Sequence, residues 1–557
     1  MRKDGKNMGR NGIVPVLAML AALLGAACGG DGQSGGDGGT DTDTDTDADA
    51  DGGTDAGEDG VLDLGEVVVL EAGEGGAFSF DATPENGDER YVLQLVSLSR
   101  ATATDYAYEV TVDGEALGAP TIAEPIESTG LALPGHEAPL LWGAAVGAAA
   151  EGAGPATPTK ADPPSVGDLV SLEISDTGTT HTTIEAEVMD VSGELVIAFD
   201  RTTDPDLTID PVILDELAAN FADVVLPRER IYFGDESDLN EDGHVTVLFS
   251  PLVVAAMSGA TAYVSPCDLL ADGTIGCPYS NEQEMIYVTP PDLLESYMAT
   301  ATAMTEVMAH EFQHAIYFYR KFMLNDALTA DESMYVTEGM SAMAQDLTGF
   351  QAGNKYVAGM AIEAVNDFSL ADVMALPGGY DDVYDGTYRG AAYLILRYAF
   401  DRLGGDSMTP WGEPVDEGGI PFLAAMTDDP LFGYNALEAA AGMDADAMFP
   451  DFYTAMLLDD RTSDGEALTT DPRYLFADPW DDPVTGQTHG VTMCFELAGG
   501  TWLVQGVPIQ QGGADAVIRS GGAEYVLVEA ASAGEAIALG ASAEDGAELE
   551  ARLVRIQ

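Results

Sequence analysis

Apolar and polar positions change their rhythm several times along the chain, and each change marks an element or a boundary. Ile13 to Ala27 is a continuous apolar run behind Arg2, Lys3, Lys6 and Arg10. It has signal-peptide length and is too short for a stable transmembrane span. Gly29 to Gly60 carries hardly any apolar residue and cannot bury a core. From Val61 to Val112 the pattern alternates (VVVLEA, AFSFDA, YVLQLVSLS, YAYEVTVDG), with Gly, Asn and Asp between the runs. Short strands with such turns predict a small β-sandwich. Leu117 to Pro164 is rich in Ala, Pro and Gly. It reads as a linker, or as a loosely ordered pro-segment without an evident metal-capping residue.

Strand pattern returns over Val166–Asp200, and Ile213–Val225 reads as an amphipathic helix. Val245–Phe249 and Glu284–Thr289 read as further strands. Thr305 to Asp346 predicts two antiparallel helices with a turn at Asn325-Asp326 and first-turn acids at Asp331-Glu332. Helical pattern then dominates to Asp460, and Asp471–Pro483 is a loop-like break. Short strands follow from Thr488 to Gln557. The predicted organisation is a signal peptide (1–27), a tether (28–60), an N-terminal β-domain (61–116), a linker (117–165), a central domain (166–475) and a C-terminal β-domain (484–557). The fold class is α+β, with strands followed mostly by helices in the centre and a small β-domain on either side.

Candidate chemistry sits in the first of the two central helices. His310-Glu311-Phe312-Gln313-His314 is an HExxH motif. Residues four apart share a helix face, so both imidazoles aim at one point. That suits a zinc ion, with Glu311 on the flank as general base toward a water on the metal. Val307, Met308, Phe312, Ala315, Ile316 and Phe318 make the helix apolar nearly all round, hence buried. Two His and two Glu on a buried helix need a compensating partner. The second helix supplies Glu338 as third ligand, with Glu332 as the competing choice. Glu338 is preferred because the small Gly339 beside it lets the metal helix approach closely. Two His and one Glu leave a position open for water.

AHEFQHAIYF followed by TEGMSAMAQD resembles the hyicolysin-type metallopeptidases, zincins whose third ligand is a glutamate and whose pattern reads HEFQH, then LNEGLS. Thr337 stands where that pattern has Asn. The resemblance covers about Val166 to Asp460 and implies a zincin-like catalytic domain, a zinc ion on His310, His314 and Glu338, and endopeptidase activity on protein or peptide substrates. Zincins hold extended substrate on an edge strand beside the metal helix, and the sequence does not say which strand that is here. Tyr388-Arg389-Gly390-Ala391 is similar to the Y-x-K-G-A motif of zinc aminopeptidases, one residue short. That resemblance implies Tyr388, with Tyr384 behind it, as the donor to the reaction's oxyanion; a core-packing tyrosine is the equal alternative. The Gly-x-Met-x-Asn strand of those aminopeptidases is missing, which favours an endopeptidase.

Asp238, Asn240 and Asp242 with Gly243 match the start of an EF-hand-like calcium loop. Phe249 stands where the bidentate Glu belongs, so a self-capped Asp-Gly turn competes with Ca2+ binding. Cys267 and Cys277 are expected to form a disulfide, and Cys494 to remain a buried free thiol. The run Leu24-Gly25-Ala26-Ala27-Cys28 looks like a bacterial lipoprotein signal, with Cys28 acylated and the Asp-rich stretch behind it an extended tether.

Composition narrows the partners. Lys and Arg number 21 against 96 Asp and Glu, a formal net charge of -75. No basic stripe exists to neutralise phosphates, so nucleic acid is excluded, and an anionic bilayer repels everything but a lipid anchor. The expected location is the bacterial cell envelope, lipid-anchored, or the medium, as a monomer. The competing function is a surface lipoprotein whose β-domains bind glycans or proteins and whose zincin fold is only a scaffold.

Overall fold

The computed structural model describes residues 60–117 and 163–557, with short interruptions at 74–75, 176–179, 257–259, 275–276, 278, 326–331, 376–385, 464, 498–501, 512–515 and 531, and also the two-residue strand Gly135–His136. The predicted signal peptide, the tether, Cys28 and most of the 117–165 linker lie outside the described residues, as does Tyr384. The described chain is α+β, a mixture of several sheets and helices.

The alternating segments near the N-terminus form β1 (Val67–Leu70), β2 (Phe78–Ala82), β3 (Arg90–Ser97) and β4 (Asp105–Val112). They do not pair with one another. The central sheet contributes β5 (Leu169–Ser175), β6 (His181–Ser192), β7 (Leu195–Asp200), β8 (Val245–Phe249), β9 (Ala260–Tyr263) and β10 (Met285–Val288). The C-terminal strands are β11 (Ala516–Arg519), β12 (Ala523–Glu529), β13 (Ile537–Ala543) and β14 (Leu549–Arg555). One sheet runs β1-β14-β3-β12 and its companion β2-β13-β4-β11. Every pairing in both sheets is antiparallel. The two separate β-domains expected at 61–116 and 484–557 are therefore one sandwich, assembled from both ends of the chain. The reason is physical: each end alone leaves strand edges and one apolar face uncovered.

The sandwich core holds Val68, Leu70, Phe78, Tyr91, Leu93, Leu95, Val110, Ile518, Val526, Leu539 and Leu553. Along β3 the other side chains, Val92 and Val96, belong to the core of the helical region instead. This is the period-two rule with both faces covered. Gln94 on that outer face donates from Nε2 to the Pro450 carbonyl and to Thr454 Oγ1, both at 3.1 Å.

The central sheet runs β5-β6-β7-β8-β10-β9, with Gly135–His136 paired outside β9. β8 lies parallel to both β7 and β10, while β9 is antiparallel to β10. Its odd face (Leu195, Ile197, Phe199, Val247, Ile286) packs under the helices, and Ala198, Leu248 and Tyr287 fill a smaller core behind. The strand expected over Glu284–Thr289 is thus interior. β9 is the strand nearer the edge beside the metal helix.

The predicted helix at 213–225 belongs to a longer helical run: α1 (Pro211–Asn220), a wide turn to Val225, and α2 (Leu226–Phe233). The two central helices are α3 (Ala301–Tyr317) and α4 (Met334–Thr348). Thr300 caps α3 by accepting from the Ala303 N–H at 3.2 Å. Ser333 caps α4 through the Tyr335 N–H at 3.2 Å, so the helix starts after the expected Asp331-Glu332. Gly349 ends it with φ 84°. Residues Met304–Tyr317 and Tyr335–Thr348 are all buried. α5 (Ala352–Glu363) and α6 (Gly386–Arg402) pack on α3 and α4 from the far side. Gly339 faces α6 rather than the metal helix: an added Cβ would meet Leu396 Cδ1 at 2.9 Å and Ala392 at 3.0 Å. Among the described residues no helix is long and apolar enough to cross a membrane.

Candidate metal centre

α3 places His310 and His314 one turn apart, with ring centroids 4.8 Å apart and planes at 87°. α4 crosses in front and brings Glu338 between them. Its carboxylate lies 3.4 Å from His310 Nε2 through Oε2, and 3.7 Å from His314 Nε2 through Oε1. One donor atom from each of the three falls within 4.8 Å of the others. His310 is 0 %, His314 4 % and Glu338 1 % exposed. Neither oxygen of Glu338 makes a hydrogen bond among the described residues. A buried carboxylate in that condition is costly unless a cation faces it. Two imidazoles and one carboxylate fit a divalent metal, and the donor set is that of a catalytic zinc site. This group is the one arrangement of three such side chains found among the described residues that could hold a metal.

Glu311 is fully buried on the flank of the same helix. Its Oε2 accepts from the Val264 N–H at 3.1 Å, directly past the end of β9. The sheet thus fixes the carboxylate that the motif nominates as base. Glu332 is turned to other work. It accepts from Tyr317 OH at 2.7 Å and from the Gly433 N–H at 3.2 Å, and burial pushes its carboxyl upward against these bonds and Lys321.

Arg389 is the site residue that sequence reasoning passed over. On α6 its Nε stands 3.2 Å from Glu338 Oε2, and both side chains are buried. The signal was available: one cation inside the run Gly-Ala-Ala-Tyr-Leu-Ile-Leu of a chain poor in cations needs a buried acid. Tyr388, the nominated oxyanion donor, directs its hydroxyl to Asp372 Oδ2 at 3.4 Å and stacks on Tyr335 at 5.1 Å. The structure brings its neighbour, not Tyr388, onto the metal group.

The Asp238–Gly243 segment is a self-capped turn. Asp238 Oδ1 accepts from the Gly243 N–H at 3.1 Å, Asn240 Oδ1 from the Asp242 N–H at 3.1 Å, and Asp242 Oδ1 from the His244 N–H at 2.8 Å. The Asn240 amide also donates to Asp242 Oδ2 at 2.9 Å. Oxygens spent on the loop's own donors are not offered to Ca2+, so the turn reading replaces the calcium reading. Cys267 and Cys277 form the expected disulfide. Cys494 is disulfide-bonded and not the free thiol expected.

No protein-family model matches the chain, and no curated protein matches it.

Proposed function

We propose that the chain is a zinc-dependent endopeptidase of the zincin kind. The observation that carries this reading is the meeting of His310, His314 and Glu338 in one buried group, with Glu311 held beside it by a backbone N–H of the sheet. Zinc in that group would supply a Lewis acid that activates water and polarises a peptide carbonyl. Glu311 takes the proton of the attacking water and returns it to the leaving amine. The Val264 N–H keeps its carboxylate aimed. Arg389 adds positive charge beside Glu338. Because the centre is buried, a peptide reaches it only when the chain packed over it moves aside. The Cys267–Cys277 disulfide supports an oxidising compartment, in keeping with export and a lipid anchor at Cys28.

The test is Glu311→Gln in the full chain, assayed on an unfolded protein before and after limited proteolysis. The expected variant keeps its zinc and its melting temperature, and loses cleavage by at least about a hundredfold, in line with general-base loss. Zinc-loaded wild-type protein that cleaves no peptide library under either condition contradicts the enzyme reading.

A further inference from the structure

We infer that Ser341 and Gln345 are positioning residues that set the tautomers of the two histidines, so that one helix supplies both the third ligand and the orientation of the other two. The inference rests on the metal-centre reading and extends it to residues that no motif nominates.

Glu338, Ser341 and Gln345 stand at i, i+3 and i+7 of α4, which places them on one face. That face meets the His310–His314 face of α3. Ser341 Oγ lies 3.0 Å from His314 Nδ1 and 3.4 Å from its Nε2, and 2.7 Å from Gln313 Oε1. A hydroxyl has one proton to give. The Gln313 carbonyl oxygen can only accept, so the proton goes there. Toward the imidazole Ser341 Oγ is then an acceptor, and the nearer nitrogen, Nδ1, carries the hydrogen. His314 Nε2 keeps its lone pair on the side of Glu338.

The same logic holds one turn back. Gln345 Nε2 faces Glu306 Oε1 at 3.5 Å. That oxygen also collects the Gly353 and Asn354 N–H groups at 2.7 and 3.1 Å, at the start of α5. With its NH2 turned to a carboxylate, Gln345 presents Oε1 to His310 Nδ1 at 3.4 Å. His310 Nδ1 therefore carries the hydrogen, and Nε2 faces Glu338 Oε2 with a lone pair. Two imidazole lone pairs and a carboxylate then point into one buried gap. Each repels the others until a cation sits among them, which is how outer partners raise the affinity of a metal site.

The experiment uses the full chain and zinc alone as probe. Six histidines in the sequence make nitrogen-15 imidazole spectra tractable. In metal-free wild-type protein the account expects His310 and His314 as neutral Nδ1–H tautomers. Ser341→Ala and Gln345→Ala are each expected to weaken zinc binding about 10–100-fold in chelator competition. Ser341→Thr and Gln345→Glu, which keep an acceptor, are expected to restore it. A merely structural role would lower melting temperature without moving the tautomer or being rescued in affinity. Nε2–H tautomers at either histidine overturn the inference, as do alanine variants that bind zinc within twofold of wild type. If the alanine variants fail to fold, the wild-type spectra decide alone. Wild-type protein that takes no zinc sinks the metal-centre reading itself, which is a separate outcome.

Discussion

At Gly390 a methyl group has nowhere to go. An added Cβ would stand 2.0 Å from the Val357 carbonyl oxygen and 2.9 Å from Ala361 Cβ. At Gly339, by contrast, the nearest atom is the mobile tip of Leu396 at 2.9 Å. Gly390→Ala should therefore cost about 1–3 kcal/mol or more, and Gly339→Ala less, in chemical denaturation. Equal costs would mean that α5 and α6 can separate freely. Both glycines were visible in the sequence, but what each touches was not. Gly339 was read against the metal helix and instead admits α6. The triad was legible because a metal dictates spacing: His310 and His314 four apart, and an acid on the next helix. Arg389 was missed because attention fell on its neighbour Tyr388, whose phenol turns to Asp372. Positioning by Ser341 and Gln345 was hidden for another reason. It depends on how two helices cross, and spacing within one helix cannot report that.

Elements with a strong period were readable, and their partners were not. α3 declares itself by apolar residues all round, and its burial from Met304 to Tyr317 follows. α4 begins at the cap Ser333, two residues later than its acidic flank suggested, since a hydroxyl that accepts from the N2 amide outranks charge near the terminus. β3 was recognised as a strand from YVLQLVS. Its pairing with β14 and β12 joins residues more than four hundred positions apart, and alternation carries no label for the partner strand. The same ignorance applied to β10, read as a candidate edge and found inside the sheet. At Asp238 a six-residue match to a calcium loop was outvoted by the missing twelfth ligand, and the turn's own N–H groups hold its oxygens.

Across the whole molecule, the sandwich ties both ends of the described chain together, and buried acids set the response to pH. Burial pushes Glu524 up to about 8, against the amides of Asn366 and Gln510. Asp459 rises to about 8, and Asp268 and Glu284 each to about 7, with desolvation the largest cause in every case. Folded values above the unfolded ones mean that the native state holds more protons in between. Stability from these groups is full below about pH 4 and is lost as pH rises toward 8. Glu89 works oppositely: four backbone N–H groups outweigh its burial and hold it at about 2, so its contribution falls away in acid below about 4.5. The melting temperature should rise as pH is lowered from 8 to about 5 and turn over below that. Added salt should raise it at pH 8, because a net charge of -75 repels itself. Glu524→Gln should flatten the slope between pH 5 and 8; an unchanged slope would show that this carboxyl does not stay protonated in the fold.

Metal content of the purified full chain tests the core of the account most directly, read beside Glu338→Ala and Glu332→Ala. The account predicts one equivalent of zinc in wild-type protein and in Glu332→Ala, and its loss from Glu338→Ala on dialysis. Wild-type protein without stoichiometric metal after zinc loading, or a Glu338→Ala variant that holds zinc as tightly as wild type, would contradict it.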